Sequence, residues 1–195
     1  REPRVAKTAP NTKGLGATIL PNAVQLDSDA RQWRVVDVFK GCFALIRRDE
    51  QAAWLDLIGV QRKILVPQIK QQFQQGMAGQ PLLVEQKINL SDTPWQKKQV
   101  LQYSEALAQC GVKFYWQGSA LIVEQMPSML RRKHISNSVL QLLSACEHGT
   151  AAIIELLADA AAESSLSKSQ ADYWCQQWQR QLNSTAVLLH EIKVP

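Results

Sequence analysis

The chain has 195 residues, 46% of them hydrophobic and 20% charged, with a formal net charge of +5. At that length one large domain or two small ones can bury roughly 70% of the unfolded surface, so a packed core needs no staples, and no apolar run approaches the roughly 18 to 20 residues of a membrane span. Outside Arg47-Arg48 and Arg131-Arg132-Lys133 the cations are scattered, a pattern that allows weak DNA contact but provides no dedicated basic groove.

The opening Arg1-Glu2-Pro3-Arg4 lacks the pattern of a signal peptide, and a soluble, cytoplasmic protein is expected. Residues 1–30 are polar, aperiodic and contain Pro and Gly, as a linker remnant would be. Trp33, Val35 and Phe39 then occupy alternate positions of a first strand that ends at Lys40-Gly41. Cys42 to Arg47 forms a second, and after the polar Asp49-Glu50-Gln51 a third, Ala52 to Leu57, carries Trp54. From Ile58 the period lengthens: Ile64, Leu65, Ile69 and Phe73 mark an amphipathic helix, kinked or restarted at Pro67.

A loose Gln/Gly-rich segment, Gln74 to Gln80, leads to an alternating strand in which Leu82, Val84, Ile88 and Leu90 face one way and Leu83, Glu85, Lys87 and Asn89 the other. Thr93-Pro94-Trp95-Gln96 reads as a capped helix start, with Val100, Leu101, Leu107 and Ala108 inward and Gly111 after the end at Cys110. Val112 to Trp116 and Ala120 to Gln125 make a hairpin through Gln117-Gly118-Ser119. After Met126-Pro127 the chain is helical over Ser136 to Glu147, Thr150 to Ala162 and Ser169 to Leu182, and Ala186 to Ile192 can add an edge strand. Ala151 to Ala162 is so apolar that another element or another chain must cover it. The expected fold is α+β with two subdomains, residues 31–78 with 128–195 and an outer β-α-β-β unit at 79–127.

Chemistry-bearing residues are sparse. Cys42, Cys110, Cys146 and Cys175 lie far apart without metal-ligand spacing and read as buried thiols. His134, His148 and His190 are isolated and read as surface or capping residues, and Gly14-Leu15-Gly16 precedes no helix start. No catalytic residue, metal site or cofactor is expected.

Three short stretches, Gln80-Pro81-Leu82-Leu83-Val84, Leu107-Ala108-Gln109-Cys110-Gly111-Val112 and Val123-Glu124-Gln125-Met126-Pro127, set in this order of elements, resemble the C-terminal domain of the MutL family of DNA mismatch repair proteins over about residues 33–195. That resemblance implies a constitutive homodimerisation module, joined by a flexible linker to an N-terminal ATPase, with 31–78 and 128–195 as the dimerisation subdomain. Implied partners are a second copy, the mismatch-recognition protein MutS, the nicking enzyme MutH, a repair helicase and the sliding clamp. Nicking members of the family carry D-Q-H-A-x-x-E-x-x-x-x-E on the first helix to hold a divalent metal. The matching positions here are Asp56, Leu57, Ile58, Gly59, Arg62 and Pro67, so a cation and a proline stand where two carboxylates belong. The family's further metal patches fall near Ala158-Asp159-Ala160 and after Leu182, with no cysteine at either place. The resemblance therefore implies the type without endonuclease chemistry, with a metal-dependent nicking domain and a plain basic DNA-binding module as the competing readings.

Three sets of site residues follow. Gln80, Leu82, Leu83 and Val84 either form a strand with Leu82 and Val84 inward or match the family's clamp-docking peptide, in which Gln enters a polar pocket and the Leu pair an apolar one. Glu85 replaces the expected Pro and puts a charge beside the apolar contact, so the affinity expected is on the order of micromolar or weaker. Val35, Phe39, Trp174 and Trp178 are candidate dimer-interface residues, against an aromatic-rich core as the alternative. Arg131, Arg132 and Lys133 are candidate phosphate or partner contacts, against a solvated charged face.

Overall fold

The computed structural model describes residues 32–132, 134–181 and 189–191. The expected linker, Lys133 and most of the expected strand at 186–192 lie outside the described residues. An antiparallel meander comes first: β1 (Arg34–Phe39), β2 (Phe43–Arg48) and β3 (Gln51–Asp56), with β7 (Leu189–Glu191) pairing to β3, so that the sheet order is β1-β2-β3-β7. Lys40 and Gly41, at φ of 50° and 68°, supply the left-handed backbone that closes the first hairpin. Gly41 is also where a distant segment docks: the Leu166 N–H donates to its carbonyl at 2.8 Å, and a Cβ there would meet Ser165 Oγ at 2.5 Å.

Asp56 turns the strand into α1 (Leu57–Gln75) by accepting the N–H of Ile58 at 3.1 Å and of Gly59 at 3.0 Å, an ordinary N-cap. Pro67 lies inside this one helix and does not start a second. Gln61, fully buried, uses both ends of its amide on one residue of the chain between the last helices, donating to the Glu163 carbonyl at 3.1 Å and accepting the Glu163 N–H at 2.9 Å. A buried amide is stable only when so matched.

The second sheet has the order β4-β6-β5, from β4 (Gln80–Asn89), β5 (Lys113–Gln117) and β6 (Ala120–Met126), all antiparallel. The helix expected from Thr93 to Cys110 is two short ones, α2 (Lys97–Gln102) and α3 (Ser104–Gln109), broken at Tyr103. Thr93 does not cap it. Its hydroxyl donates to the Leu90 carbonyl at 2.9 Å and accepts the Trp95 N–H at 3.3 Å, which stabilises the turn, while at the true start the Gln96 N–H donates to Gln99 Oε1 at 2.9 Å. Of the four residues expected inward, Val100 and Leu107 are buried whereas Leu101 and Ala108 face out.

The remaining helices are α4 (Ile135–Glu147), α5 (Thr150–Ala161) and α6 (Lys168–Gln181). The apolar α5 is covered within the chain by α1 and α4, with Ile153, Ile154, Leu157 and Ala158 inward. Two cores result. In the first, Trp33, Val35, Ala44, Ile46, Ala53 and Leu55 of the meander pack on Leu57, Val60 and Ile64 of α1 and on Ala171, Cys175 and Trp178 of α6. In the second, Ile69 and Phe73 join Ile88, Leu121 and Val123 of the three-stranded sheet with Leu142, Leu143 and Leu157 of α4 and α5. α1 therefore runs through both. Packing draws the boundary differently from the expected split at 79 and 127, since α4 and α5 share a core with the three-stranded sheet.

The segment expected to be a loose junction is clamped. Met77 N–H donates to the Gln109 carbonyl at 2.8 Å, and the 76–79 backbone crosses Gly111 so closely that a Cβ there would lie 2.6 Å from Gly79 N and 2.7 Å from Met77 O. Only glycine allows that approach at the φ of 80° found for Gly111.

Candidate interaction surfaces

The inner face of the β1–β3 meander carries Ala44, Ile46, Ala53 and Leu55, all fully buried against α1 and α6. Small residues there let the helices approach the sheet. The larger side chains are on the other face: cross-strand pairing sets Leu45 opposite Trp54, and Phe39 opposite Phe43. Phe39 is 55% exposed and Phe43 39%, Leu45 and Trp54 are half-buried, and the Phe39 and Trp54 rings pack at 6.3 Å. No described helix packs on this face, which is an apolar platform on an otherwise solvated sheet.

This arrangement redistributes the expected interface residues. Val35 and Trp178 are interior, at 6% and 0% exposure, and hold the first core together. Trp174 lies half-buried against the same core, its ring edge-on to Tyr173 at 5.3 Å. Phe39 alone of the four belongs to the open platform. Val35 and Phe39 part company because a bulge at Val36, between the Val35–Ile46 and Asp37–Leu45 pairs, inserts one residue and flips every side chain after it to the opposite face. Trp54 is legible in the sequence as a strand aromatic, but Phe43 and Leu45 are not singled out there, because both faces of β2 and β3 are apolar and alternation cannot tell them apart. The alanines at 44 and 53 were the available signal.

A larger bulge shapes β4. Between the Pro81–Gln125 and Gln86–Val123 pairs, Leu82 to Glu85 face only Glu124. The expected alternation fails there: Leu82 packs against the second core, but Val84 is 80% exposed and Leu83 99%. Pro81, which has no N–H to give, sits where an edge strand tolerates it. Both ends of the bulge are tied by side chains. Arg131 Nη1 donates to Gln80 Oε1 at 2.9 Å, and the Tyr115 hydroxyl donates to Glu85 Oε2 at 2.8 Å, a bond that raises the Tyr115 phenol above its usual range. Two sets of residues that sequence alone kept apart, the Gln80 peptide and the basic run, thus meet at one place. The side chains of Arg132 and Lys133 lie outside the described residues.

Of the positions compared with the family's nicking motif, the Asp56 carboxylate caps α1, and Arg62 points at α5, where Glu155 Oε2 accepts at 3.1 Å and Asp159 Oδ1 at 2.7 Å. A guanidinium held by two carboxylates is a poor donor set for a divalent metal, which needs anionic oxygens free of a competing cation. Among the described residues no group of three or more His, Cys, Asp and Glu converges as a metal site, and no described helix is long and apolar enough to cross a membrane. Cys110, Cys146 and Cys175 are buried, and Cys42 is half-buried. Burial pushes the Cys110 thiol up to about 12, with Cys146 adding to the effect, and raises Cys146 to about 11 and Cys175 to about 12. Thiols so raised are inert as nucleophiles near neutral pH.

Residues 36–173 match the family model of the MutL C terminal dimerisation domain. The chain is also 26% identical over 135 residues to the DNA mismatch repair protein MutL of Aeromonas hydrophila subsp. hydrophila, an alignment covering 69% of this chain and 21% of that protein. It therefore spans about a fifth of the length of that relative. With the family model covering most of the chain, the protein belongs to the MutL C-terminal dimerisation domain family.

Proposed function

We propose that this chain is the homodimerisation module of a mismatch repair matchmaker and that a second copy seats on the aromatic face of the β1–β3 meander. The observation that supports it is the platform of Phe39, Phe43, Leu45 and Trp54, with two exposed Phe rings on a face that no described element covers. Large aromatic side chains on a rigid sheet give contact area with few rotatable bonds, which favours association. In a two-fold dimer the same patch meets itself, so each aromatic contributes twice. Sedimentation at micromolar concentration checks this: a dimer is expected, and a monomer would end the proposal.

The dimer would act as a scaffold coupling mismatch recognition by MutS to MutH and a repair helicase, with no catalytic step in this segment. Manganese-dependent nicking of supercoiled plasmid by the purified chain should be absent. If nicking appears and follows the protein through purification, the endonuclease reading replaces the scaffold one.

A second contact, with the sliding clamp through Gln80 to Val84, is favoured by the bulge. It projects Leu83 and Val84 into solvent beside Gln80, while Leu82, the first of the Leu pair that the resemblance would seat in the apolar pocket, packs against the second core, so that Leu83 and Val84 would take that pocket. Binding to immobilised clamp should fall at least tenfold in Leu83→Asp. Retention equal to the unmodified chain would sink this contact while leaving dimerisation untouched.

A further inference from the structure

The two halves of the β4 peptide are held differently. Leu83 and Val84 are free of the protein surface, whereas Gln80 is engaged: its amide oxygen accepts the Arg131 guanidinium at 2.9 Å. Arg131 is well placed to hold on. It belongs to the 3-10 turn Ser128–Arg132 after Pro127, and its neighbour Leu130, 2% exposed, is fixed in the second core. The buried Ser138 hydroxyl donates to the Leu130 carbonyl at 3.1 Å and pins the turn to α4. The backbone that carries Arg131 is thus anchored, and its guanidinium reaches over the first residue of β4. A surface partner that takes the Gln80 amide into a polar pocket must first break this charge-assisted bond.

We propose that Arg131 is a latch on Gln80: it holds the polar end of the docking peptide closed while the apolar end stays open, so a partner engages Leu83 and Val84 first and gains Gln80 only by displacing the guanidinium. The partner is a protein surface with an apolar pocket for two side chains and a polar pocket for a carboxamide. This rests on the docking reading given above. It also accounts for the weak affinity expected of the peptide without assigning all of it to Glu85, because part of the binding free energy goes into releasing the latch.

The test is a double-mutant cycle on the whole chain, read as binding to immobilised sliding clamp by surface plasmon resonance, with each variant's thermal melt recorded first. Arg131→Ala should bind about threefold to fivefold more tightly, the magnitude of one exposed charge-assisted hydrogen bond. Gln80→Ala should bind more weakly, and Arg131→Ala added to Gln80→Ala should change nothing further, since no amide remains to be released. If Gln80→Ala weakens binding but Arg131→Ala leaves it unchanged or weakens it too, the latch is overturned and the docking reading stands, with Arg131 a bystander or itself a contact. If neither Gln80→Ala nor Leu83→Asp alters binding, the docking reading fails and the latch with it.

Discussion

The described residues form two antiparallel sheets, each backed by helices on one face, and they differ in what the other face carries. On the three-stranded sheet Ile122 and Ala120 are only 4% exposed although neither belongs to the main cluster. Lys87 and Tyr115 flank Ile122 from the neighbouring strands, Lys113 reaches Glu124 at 3.3 Å, and Tyr115 bonds Glu85. Long polar side chains lay their stems over the apolar centre and keep their heads in water. The β1–β3 meander has the reverse arrangement, with Phe39, Phe43, Leu45 and Trp54 outward. One face closes itself and the other needs a cover, which is why a second copy is assigned to the meander.

The strongest way to break this comparison is to charge the aromatic face. Phe39→Asp with Trp54→Asp should raise the dimer dissociation constant by roughly 10² to 10³, about 3 to 4 kcal/mol, because each interface then buries unpaired carboxylates from both copies. Lys113→Ala with Tyr115→Phe, on the self-covered sheet, should leave it within about twofold. Sedimentation equilibrium of both variants settles the matter, and equal effects would mean that the two faces do not differ in role.

The joint between the two regions gives the next largest effect. Gly111→Ala should lower unfolding stability by about 2 to 4 kcal/mol, since the new Cβ meets backbone on the 76–79 crossing at a φ of 80°. Gly118, also at positive φ (63°) but with nothing within 4 Å of a Cβ, is the control. Gly118→Ala should cost only about 1 kcal/mol in the same urea titration. Similar losses at both positions would show that backbone strain, and not the crossing, decides the outcome.

What the sequence could and could not show follows from the same contrast. The last three helices were legible almost to the residue, with expected starts at Ser136, Thr150 and Ser169 against observed starts at Ile135, Thr150 and Lys168, because apolar periodicity is local. The interaction surfaces were legible as segments but not as faces. A bulge is a property of strand pairing: one extra residue at Val36 separates Val35 from Phe39, and the four-residue bulge in β4 turns Val84 outward where alternation put it inward. Likewise the Gln80–Arg131 bond joins residues 51 apart, which no local pattern encodes. The one helix expected at 93–110 is two, separated at Tyr103, and the first starts after Gln96, three residues beyond Thr93.

A smaller effect compares the two cores. Cys175 lies in the first, and Cys110 and Cys146 lie in the second. All three are raised in the folded state, to about 12, 12 and 11. Between the unfolded thiol value, about 8.5 to 9, and those values the unfolded chain has released protons that the folded chain retains, so stability is intact below pH 8.5 and falls as pH rises above it. Each thiol should contribute roughly 1 kcal/mol of loss per pH unit over that window. Cys110→Ala with Cys146→Ala should flatten the slope between pH 9 and 10.5 more than Cys175→Ala does, when urea midpoints are followed with pH. A slope unchanged by any of these substitutions would mean that the buried thiols are not what links this fold to alkali.

The smallest expected effect is at Arg62, where α1 passes from one core to the other. Its bonds to Glu155 and Asp159 are short, yet all three side chains are about half exposed, between 44% and 52%. Water screens such a pair, and ordering three long side chains offsets much of the attraction, so Arg62→Met should change stability by less than about 1 kcal/mol and leave dimerisation intact. The buried side of the same helix is another matter: Gln61→Leu removes two buried hydrogen bonds to the Glu163 backbone, at about 2 to 3 kcal/mol. Adjacent positions on one helix should therefore differ severalfold in the same melt. If Arg62→Met proved the costlier, the link between the two regions would be an electrostatic clasp on the surface, and the shared apolar side of α1 would have the lesser part in holding them together.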